Sequence, residues 1–239
     1  MRDLTGVIPF GPHGPAETGL ADWEEIDSAG LVSGTPLQRG HIYHQESGRG
    51  YLSGIWDCTA FTSKCAPYPD DELMILLEGE LTLKTPDGAE TRLKAGDAFV
   101  IPKGLECQWI QPGYLRKVFM ILSEPIAEET ANPSLNRITV PDLSLPSDPD
   151  GVIDACQTWF VNSTGRMVVA TRQCAGRRSA EEVTQGNDLM HIIAGSVTTI
   201  IDGNETTFGP GDTFYVVQGT RLIWRTAPGT WLLQTRYVA

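Results

Sequence analysis

The sequence predicts an all-β protein made of two tandem antiparallel barrels, and three observations support this fold class. The run ELMILLEGELTL at 72–83 has a counterpart, DLMHIIAGSVTT, at 188–199. Each run leads through an Asp-Gly turn to a second matching block, GDAFVIPKGLECQW at 96–109 and GDTFYVVQGTRLIW at 211–224. Short apolar runs between Gly, Pro and Asp turns are typical of strands in small barrels or jelly rolls. A repeat of about 115 residues indicates a duplicated domain, because solenoid units are much shorter.

The 239 residues are enough for two domains of ordinary size. Residues 1–52 are expected to form an N-terminal arm with edge strands, since their short strand signals are broken by glycines. The first barrel is assigned to 53–124 and the second to 151–239. Between them, 125–150 is rich in proline and acidic residues, as expected of a linker, and carries one strand signal, NRITV.

The composition excludes several classes of partner. The chain has a net charge of −12, so nucleic acid and anionic membrane surfaces would repel it. No apolar run is long enough to span a bilayer, and the N-terminus lacks the apolar core of a signal peptide. We therefore expect a cytoplasmic protein with no nucleic-acid or membrane partner. The five cysteines include no CxxC pair and are expected to be thiols in a reducing compartment.

Two motifs resemble those of the cupin superfamily. Glu72 and Gly79, separated by six residues, match the end of the first cupin motif, while Gly96 and the PKG turn at 102–104 match the start of the second. The tandem copy resembles a bicupin. The segments GIWDCT, DELMILLEGELTL and GDAFVIPKG resemble the branch that includes ethanolamine-utilisation Q-type proteins and ureidoglycine aminohydrolase. The resemblance implies jelly-roll barrels in both halves. It implies no single activity, because cupins include isomerases, dioxygenases, decarboxylases, hydrolases and binding proteins.

The resemblance also implies where a metal would bind, since metal-binding cupins place three histidines and one glutamate inside the barrel. In the first half these positions fall on Ala66, Tyr68, Glu72 and Cys107. In the second half they fall on Glu182, Thr184, Asp188 and Leu222. None is a histidine, and a transition metal needs about three suitable ligands. We therefore predict no tightly bound metal and no other cofactor, with a weak divalent site at Glu72 and Cys107 left open. The ligand set of the ureidoglycine branch is not matched either, so that activity is not expected.

Alternation along the strands predicts a pocket inside the first barrel. If Glu72 faces inward, Met74 and Leu76 also face inward, and Cys107 and Trp109 share one face of a neighbouring strand. An apolar pocket with one carboxylate is typical of a small-molecule site. The candidate ligand-binding residues are Tyr68, Met74, Leu76, Cys107, Gln108 and Trp109.

Glu72 and Tyr68 are the candidate catalytic residues, acting as acid and base. The sequence equally allows a structural role, in which Glu72 hydrogen-bonds Tyr68 or pairs with Arg116 or Lys117. As a nucleophile, Cys107 would need an activating base or cation, and an inert buried thiol is favoured.

The second barrel retains fewer of the cupin features. We expect it to act as a structural partner or as a second pocket with a different ligand preference. His191 follows Asp188 by three residues, so on a strand it faces away from the interior and is expected to be a core or interface histidine. The candidate pocket residues here are Asp188, Met190, Leu222 and Trp224.

The sequence therefore predicts a protein that binds a small organic molecule in its first barrel without a tightly bound metal. Two alternatives stay open: an isomerase, hydrolase or lyase that uses Glu72 as acid or base, and a metalloenzyme with an atypical ligand shell. Whether any reaction is catalysed is not decided by the sequence. The apolar strands at 73–77 and 189–193 imply covered outer faces, and we expect a homodimer.

Overall fold

A computed structural model describes residues 6–124, 133–139 and 155–238. Helical structure in these residues is limited to two three-residue 3-10 turns, Ser28–Gly30 and Ser47–Arg49. None of the helices in these ranges has the length and apolar character that a membrane span needs. The strands in chain order are β1 (Val7–Phe10), β2 (Ala21–Asp22), β3 (Leu31–Ser33), β4 (Gln38–Glu46), β5 (Tyr51–Cys58), β6 (Phe61–Ser63), β7 (Ala66–Pro67), β8 (Asp71–Glu78), β9 (Glu80–Lys84), β10 (Glu90–Lys94), β11 (Ala98–Ile101), β12 (Glu106–Gln111), β13 (Leu115–Leu122), β14 (Asn136–Ile138), β15 (Ala155–Val161), β16 (Met167–Cys174), β17 (Glu182–Val183), β18 (Asn187–Ala194), β19 (Val197–Ile201), β20 (Asn204–Phe208), β21 (Thr213–Val216), β22 (Arg221–Thr226) and β23 (Thr230–Tyr237).

The strands form two barrels of two sheets each, which confirms the predicted all-β fold with two tandem barrels. The chain divides into one unit of residues 11–138 and another of residues 1–10 with 139–239. In the first unit, a sheet in the order β14-β11-β8-β13-β5-β4-β2 faces a sheet in the order β10-β9-β12-β6-β3, with β7 paired to β12. In the second, the orders are β1-β21-β18-β23-β16-β15 and β17-β22-β19-β20.

Two short strands outside the expected barrel ranges complete the larger sheets. Strand β14, within the expected linker, pairs with β11 of the first barrel. Strand β1, within the expected N-terminal arm, pairs with β21 of the second barrel. The arm is thus divided between the units, because β2, β3 and β4 pair within the first one. Residues 125–132 and 140–154 of the linker region lie outside the described residues.

The Gly-Asp turns of the repeat have the same geometry in both barrels. Gly96 and Gly211 have φ values of 92° and 87°, a region that favours glycine. The side chains of Asp97 and Asp212 each accept a hydrogen bond of 2.8 Å from the backbone N–H three residues earlier. These bonds fix the turn before β11 and before β21, so the matching sequence blocks produce matching local structure.

Each barrel has its own apolar core between its two sheets. In the first barrel the buried members are Trp56, Cys58, Met74, Leu76, Leu81, Leu83, Leu93, Phe99, Ile101, Leu105, Cys107, Trp109, Leu115 and Phe119. In the second they are Val7, Met190, Ile192, Val197, Ile201, Phe208, Phe214, Val216, Leu222 and Leu232. The presence of Val7 in the second set shows that β1 contributes to its core.

His191 lies on β18, on the face opposite to Met190, since neighbouring strand residues point to opposite faces. Its Nδ1 is 2.8 Å from Thr213 Oγ1. Burial lowers the pKa of His191 to about 4. The ring is therefore neutral in the folded protein at physiological pH.

This histidine is expected to make folding pH-dependent. Between pH 6.5 and pH 4 the unfolded chain binds a proton at His191 that the folded chain does not bind, so stability falls as the pH falls through this window. The loss attributable to His191 should reach about 3 kcal/mol at pH 4. Urea unfolding of the wild type and of His191→Gln at several pH values tests this. A constant difference in unfolding free energy between the two proteins from pH 7 to pH 4 would contradict it.

Candidate functional site

Both carboxylate oxygens of Glu72 are engaged inside the first barrel. Glu72 lies on β8 and is 4% exposed. Its Oε1 is 2.7 Å from Lys117 Nζ on β13, and its Oε2 accepts a hydrogen bond from the Tyr68 hydroxyl. Arg116, the other cation considered from the sequence, pairs with Glu78 at 2.9 Å. Glu72 therefore makes two of the contacts that the sequence analysis gave for a structural role, the hydrogen bond with Tyr68 and the ion pair with Lys117.

The Lys117 ammonium lies over two indole rings that are in edge-to-face contact. Its Nζ is 4.8 Å from the ring centroid of Trp56 and 5.2 Å from that of Trp109. It also lies 3.4 Å from Met74 Sδ. Ring faces attract a cation, and with the Glu72 carboxylate they compensate for the removal of the ammonium from water.

Tyr68 donates its phenolic proton to this pair. Burial, followed by the negative charge of Glu72, raises the pKa of Tyr68 well above its usual value. The phenol therefore remains protonated, and the carboxylate accepts from it. Tyr68, Glu72 and Lys117 form one hydrogen-bonded chain, which we call the Glu72 network.

The other side chains predicted to line a first-barrel pocket are mostly core residues. Met74, Leu76, Cys107 and Trp109 are buried in one apolar cluster. Burial raises the pKa of Cys107 to about 11, so its sulfur is a thiol and not the thiolate that a nucleophile requires. The described cysteines form no disulfide. Gln108 points to the other face of β12, where its Nε2 donates to the Ser63 carbonyl at 2.9 Å.

A cavity of about 450 Å³ lies between the sheets of the second barrel. Its lining includes three of the four second-barrel residues named from the sequence, and Leu222 is instead 1% exposed in the core. The polar lining includes Arg172, Arg177, Glu182, Thr184, Asp188, Gln234 and Arg236. The apolar lining includes Met190, Val197, Trp224 and Leu232. The sequence-based expectation placed the main pocket in the first barrel, and that expectation stays a prediction.

Asp188 is the counterpart of Glu72 and has different partners. Arg236 donates to both of its carboxylate oxygens, from Nε and from a terminal nitrogen, at 2.8 Å each. Gln234 Nε2 donates to one of the same oxygens at 2.8 Å. The hydrogen bonds to Asp188 raise the pKa of Arg236. Asp188 is 1% exposed, so these three bonds satisfy a fully buried charge.

The strand registers identify equivalent positions in the two barrels. Lys117 lies opposite Trp56 across β13 and β5, and Leu232 lies opposite Arg172 across β23 and β16. Pairing with β8 and β18 gives the same correspondence. Leu232 is therefore the counterpart of Lys117, and Arg172 is the counterpart of Trp56.

These correspondences show how the side chains inside the second barrel differ from those inside the first. The two barrels also differ at three further interior positions. At each one the first barrel has an aromatic or aliphatic side chain, and the second barrel has a smaller or more polar one. The pairs, first barrel before second, are Tyr68 and Thr184, Phe119 and Gln234, and Ile121 and Arg236. The replacement of Tyr and Phe by smaller side chains opens space where the first barrel has rings.

Sequence reasoning did not single out Arg172, Gln234 or Arg236. The last strand carried a signal that could have indicated two of them. Side chains alternate along a strand, so residues 232, 234 and 236 share one face of β23. Arg236 lies directly opposite Asp188, so an alignment of the two last strands would have indicated a charge pair.

Among the described residues, no group of three or more His, Cys, Asp or Glu side chains is arranged to hold a metal ion. The first-barrel residues do not fit the cupin metal site, since the ammonium of Lys117 lies 2.7 Å from Glu72 Oε1 and the other oxygen accepts from Tyr68. A divalent cation would have to displace both partners. The expectation of no tightly bound metal stays a prediction.

Comparison with known proteins finds a family model that matches part of the chain and solved structures that share its fold. Residues 45–119 match the model of the EutQ-like cupin domain. No curated protein matches the chain. A solved DUF861-family protein from Pseudomonas syringae pv. tomato is 18% identical, with a TM-score of 0.71 and coverage of 97% of this chain and 99% of that one.

Two further solved structures have the same fold. A cupin 2 conserved barrel domain protein from Leptotrichia buccalis is 7% identical, with a TM-score of 0.64 and coverage of 91% of this chain and 97% of that one. A salicylate 1,2-dioxygenase from Pseudoaminobacter salicylatoxidans is 14% identical, with a TM-score of 0.51 and coverage of 79% and 71%. At these identities the similarity shows the fold alone, and the fold is that of the cupins.

The Glu72 network should stabilise the first barrel. Lys117→Met is expected to lower the unfolding free energy by about 3–5 kcal/mol, because it leaves a buried carboxylate without its cation. The double variant Lys117→Met/Glu72→Gln should recover part of this loss, since no buried charge remains. Urea denaturation measures both effects.

The matched control is Lys84→Met, which removes an exposed partner 3.5 Å from Glu90. It should cost no more than about 1 kcal/mol. Equal losses in Lys117→Met and Lys84→Met would show that the buried pair has no special role in stability.

Proposed function

We propose that the chain, which carries a EutQ-like cupin domain at residues 45–119 and has the cupin fold in two tandem barrels, binds a small organic molecule in its second barrel. The observation that carries this proposal is the cavity of about 450 Å³ between the two sheets of that barrel. Small-molecule sites commonly have volumes of roughly 300–1,000 Å³ and combine apolar walls with a few polar groups. This cavity has both kinds of lining.

Several polar groups of the cavity are held in place by hydrogen bonds. Asp188 fixes Arg236 and Gln234. Glu182 accepts a bond of 2.7 Å from Trp224 Nε1, which holds the indole at the cavity wall. Prepositioned groups of this kind reduce the entropy lost when a ligand binds.

The first barrel has a different role in this proposal. The members of the Glu72 network satisfy one another, and the surrounding side chains pack into a single core. We propose that this barrel stabilises the chain, while the second barrel, whose interior is more polar, holds the ligand. This reverses the assignment favoured by the sequence.

Cupin folds support both binding and catalysis. Binding is favoured here because the buried carboxylate of the second barrel, Asp188, already accepts three hydrogen bonds from side chains. Those bonds suit a carboxylate that orients its neighbours. The acid–base role of Glu72 stays a prediction from the sequence.

A ligand screen tests the proposal with the full chain. Ligand-observed NMR on a set of small organic molecules should reveal binders, and each binder is then measured against Gln234→Phe. This substitution introduces the residue type of the first-barrel counterpart, Phe119, and should fill the cavity. We expect affinity to fall by at least about tenfold, a loss equivalent to about 1.4 kcal/mol.

Gln157→Phe is the matched control, because Gln157 is exposed on β15 and is not among the cavity-lining residues. It should leave affinity unchanged, and thermal unfolding of both variants verifies that they fold. Binders that lose no affinity in Gln234→Phe would place the site elsewhere. A screen without binders would overturn the proposal.

A further inference from the structure

We propose that the ligand of the second barrel is an organic anion and that its carboxylate pairs with Arg172. The inference rests on the proposed function and names the chemical class of ligand for that site. Four features of the cavity support it: its charged lining, the guanidinium of Arg172, the comparison with the first barrel, and its apolar wall.

The charge balance of the cavity is opposite to that of the chain. The chain has a net charge of −12, whereas the cavity is lined by three arginines and two acids, namely Arg172, Arg177, Arg236, Glu182 and Asp188. Arg236 and Asp188 neutralise each other in a bidentate pair. Of the three arginines, Arg172 is the one whose side chain has no partner among the described residues, so it offers the cavity's positive charge to an anion.

Arg172 supplies a guanidinium that has no partner among the described residues. It is exposed on β16 and lines the cavity. Within residues 6–124, 133–139 and 155–238 its side chain makes no hydrogen bond or ion pair. A guanidinium presents a rigid set of N–H donors that matches the two oxygens of a carboxylate. Arg172 is therefore the group best placed to recognise one.

In the first barrel an interior cation is neutralised by a carboxylate on a neighbouring strand. There the cation is Lys117, and its counter-charge is Glu72 at 2.7 Å. In the second barrel the counterpart of Lys117 is Leu232, and the cation stands on the neighbouring strand at Arg172. Asp188 cannot serve it in the same way, because Arg236 and Gln234 already occupy both of its oxygens. Arg172 is exposed and therefore hydrated in the absence of a ligand, and in the complex the ligand carboxylate would be its counter-charge.

The apolar wall indicates what the rest of the anion contains. Met190, Trp224 and Leu232 line the same cavity. Contact with an apolar group removes this surface from water and adds to the affinity. The structure therefore fits a carboxylate joined to a compact apolar body better than a small inorganic anion.

Matched acids and amides test this assignment on the full chain by isothermal titration calorimetry. The probes are phenylacetate with phenylacetamide and hexanoate with hexanamide, whose members differ mainly in charge. Each acid should bind at least about tenfold more tightly than its amide, since a hydrogen bond to a charged group contributes about 1.5–3 kcal/mol. Raising the salt concentration should weaken binding of the acids more than that of the amides.

The variant Arg172→Gln should abolish the preference for the acids, so that each acid binds no more tightly than its amide. Arg178→Gln is the matched control, because Arg178 is exposed and is not among the cavity-lining residues. It should retain the full preference. Gln234→Phe should weaken binding of both members of each pair.

Two results would overturn the anion assignment and leave the proposed function intact. One is equal binding of acid and amide that is lost in Gln234→Phe, and the other is a preference for acids that survives in Arg172→Gln. Failure of all four probes also counts against the assignment. In that case the NMR screen decides the proposed function: neutral or cationic binders lost in Gln234→Phe preserve it, and the absence of any binder removes it.

Discussion

Each barrel buries one carboxylate at an equivalent position, and the way this charge is neutralised determines what else fits inside. In the first barrel Lys117, near the start of β13, reaches Glu72, and its ammonium lies over two indoles. In the second barrel Arg236 lies directly across from Asp188, so the charge is neutralised beside the carboxylate. The position of Leu232 then needs no cation. The central space is left for a cavity.

The sequence was sufficient for the fold and for the direction of many side chains. Repeated glycines and Asp turns predicted the strands, and alternation correctly placed Met74 and Leu76 in the interior core. The choice between Arg116 and Lys117 could not be made in this way. The register shifts between these two residues, and such a shift decides which side chain faces inward.

The location of the cavity was harder to predict for a related reason. It depends on side-chain volume at equivalent positions of the last strands, where LRKVFMIL and TWLLQTRY share little sequence. The motifs that identify the cupin fold lie elsewhere, on β8 and around the Gly-Asp turn. These motifs favoured the first barrel as the ligand-binding barrel, because it retains the cupin glutamate and the PKG turn. In the structure that glutamate is engaged by Lys117 and Tyr68.

The pairing of β1 with β21 has a consequence for how the chain folds during its synthesis. Residues 7–10 leave the ribosome before the first unit, and their partners at 213–216 leave after it. At about 5–20 residues per second, β1 waits roughly ten seconds or longer for its own partner. The unit at 11–138 is continuous in sequence and can fold during this interval. Pro9 removes one N–H donor from the waiting strand, which limits its pairing with other nascent chains.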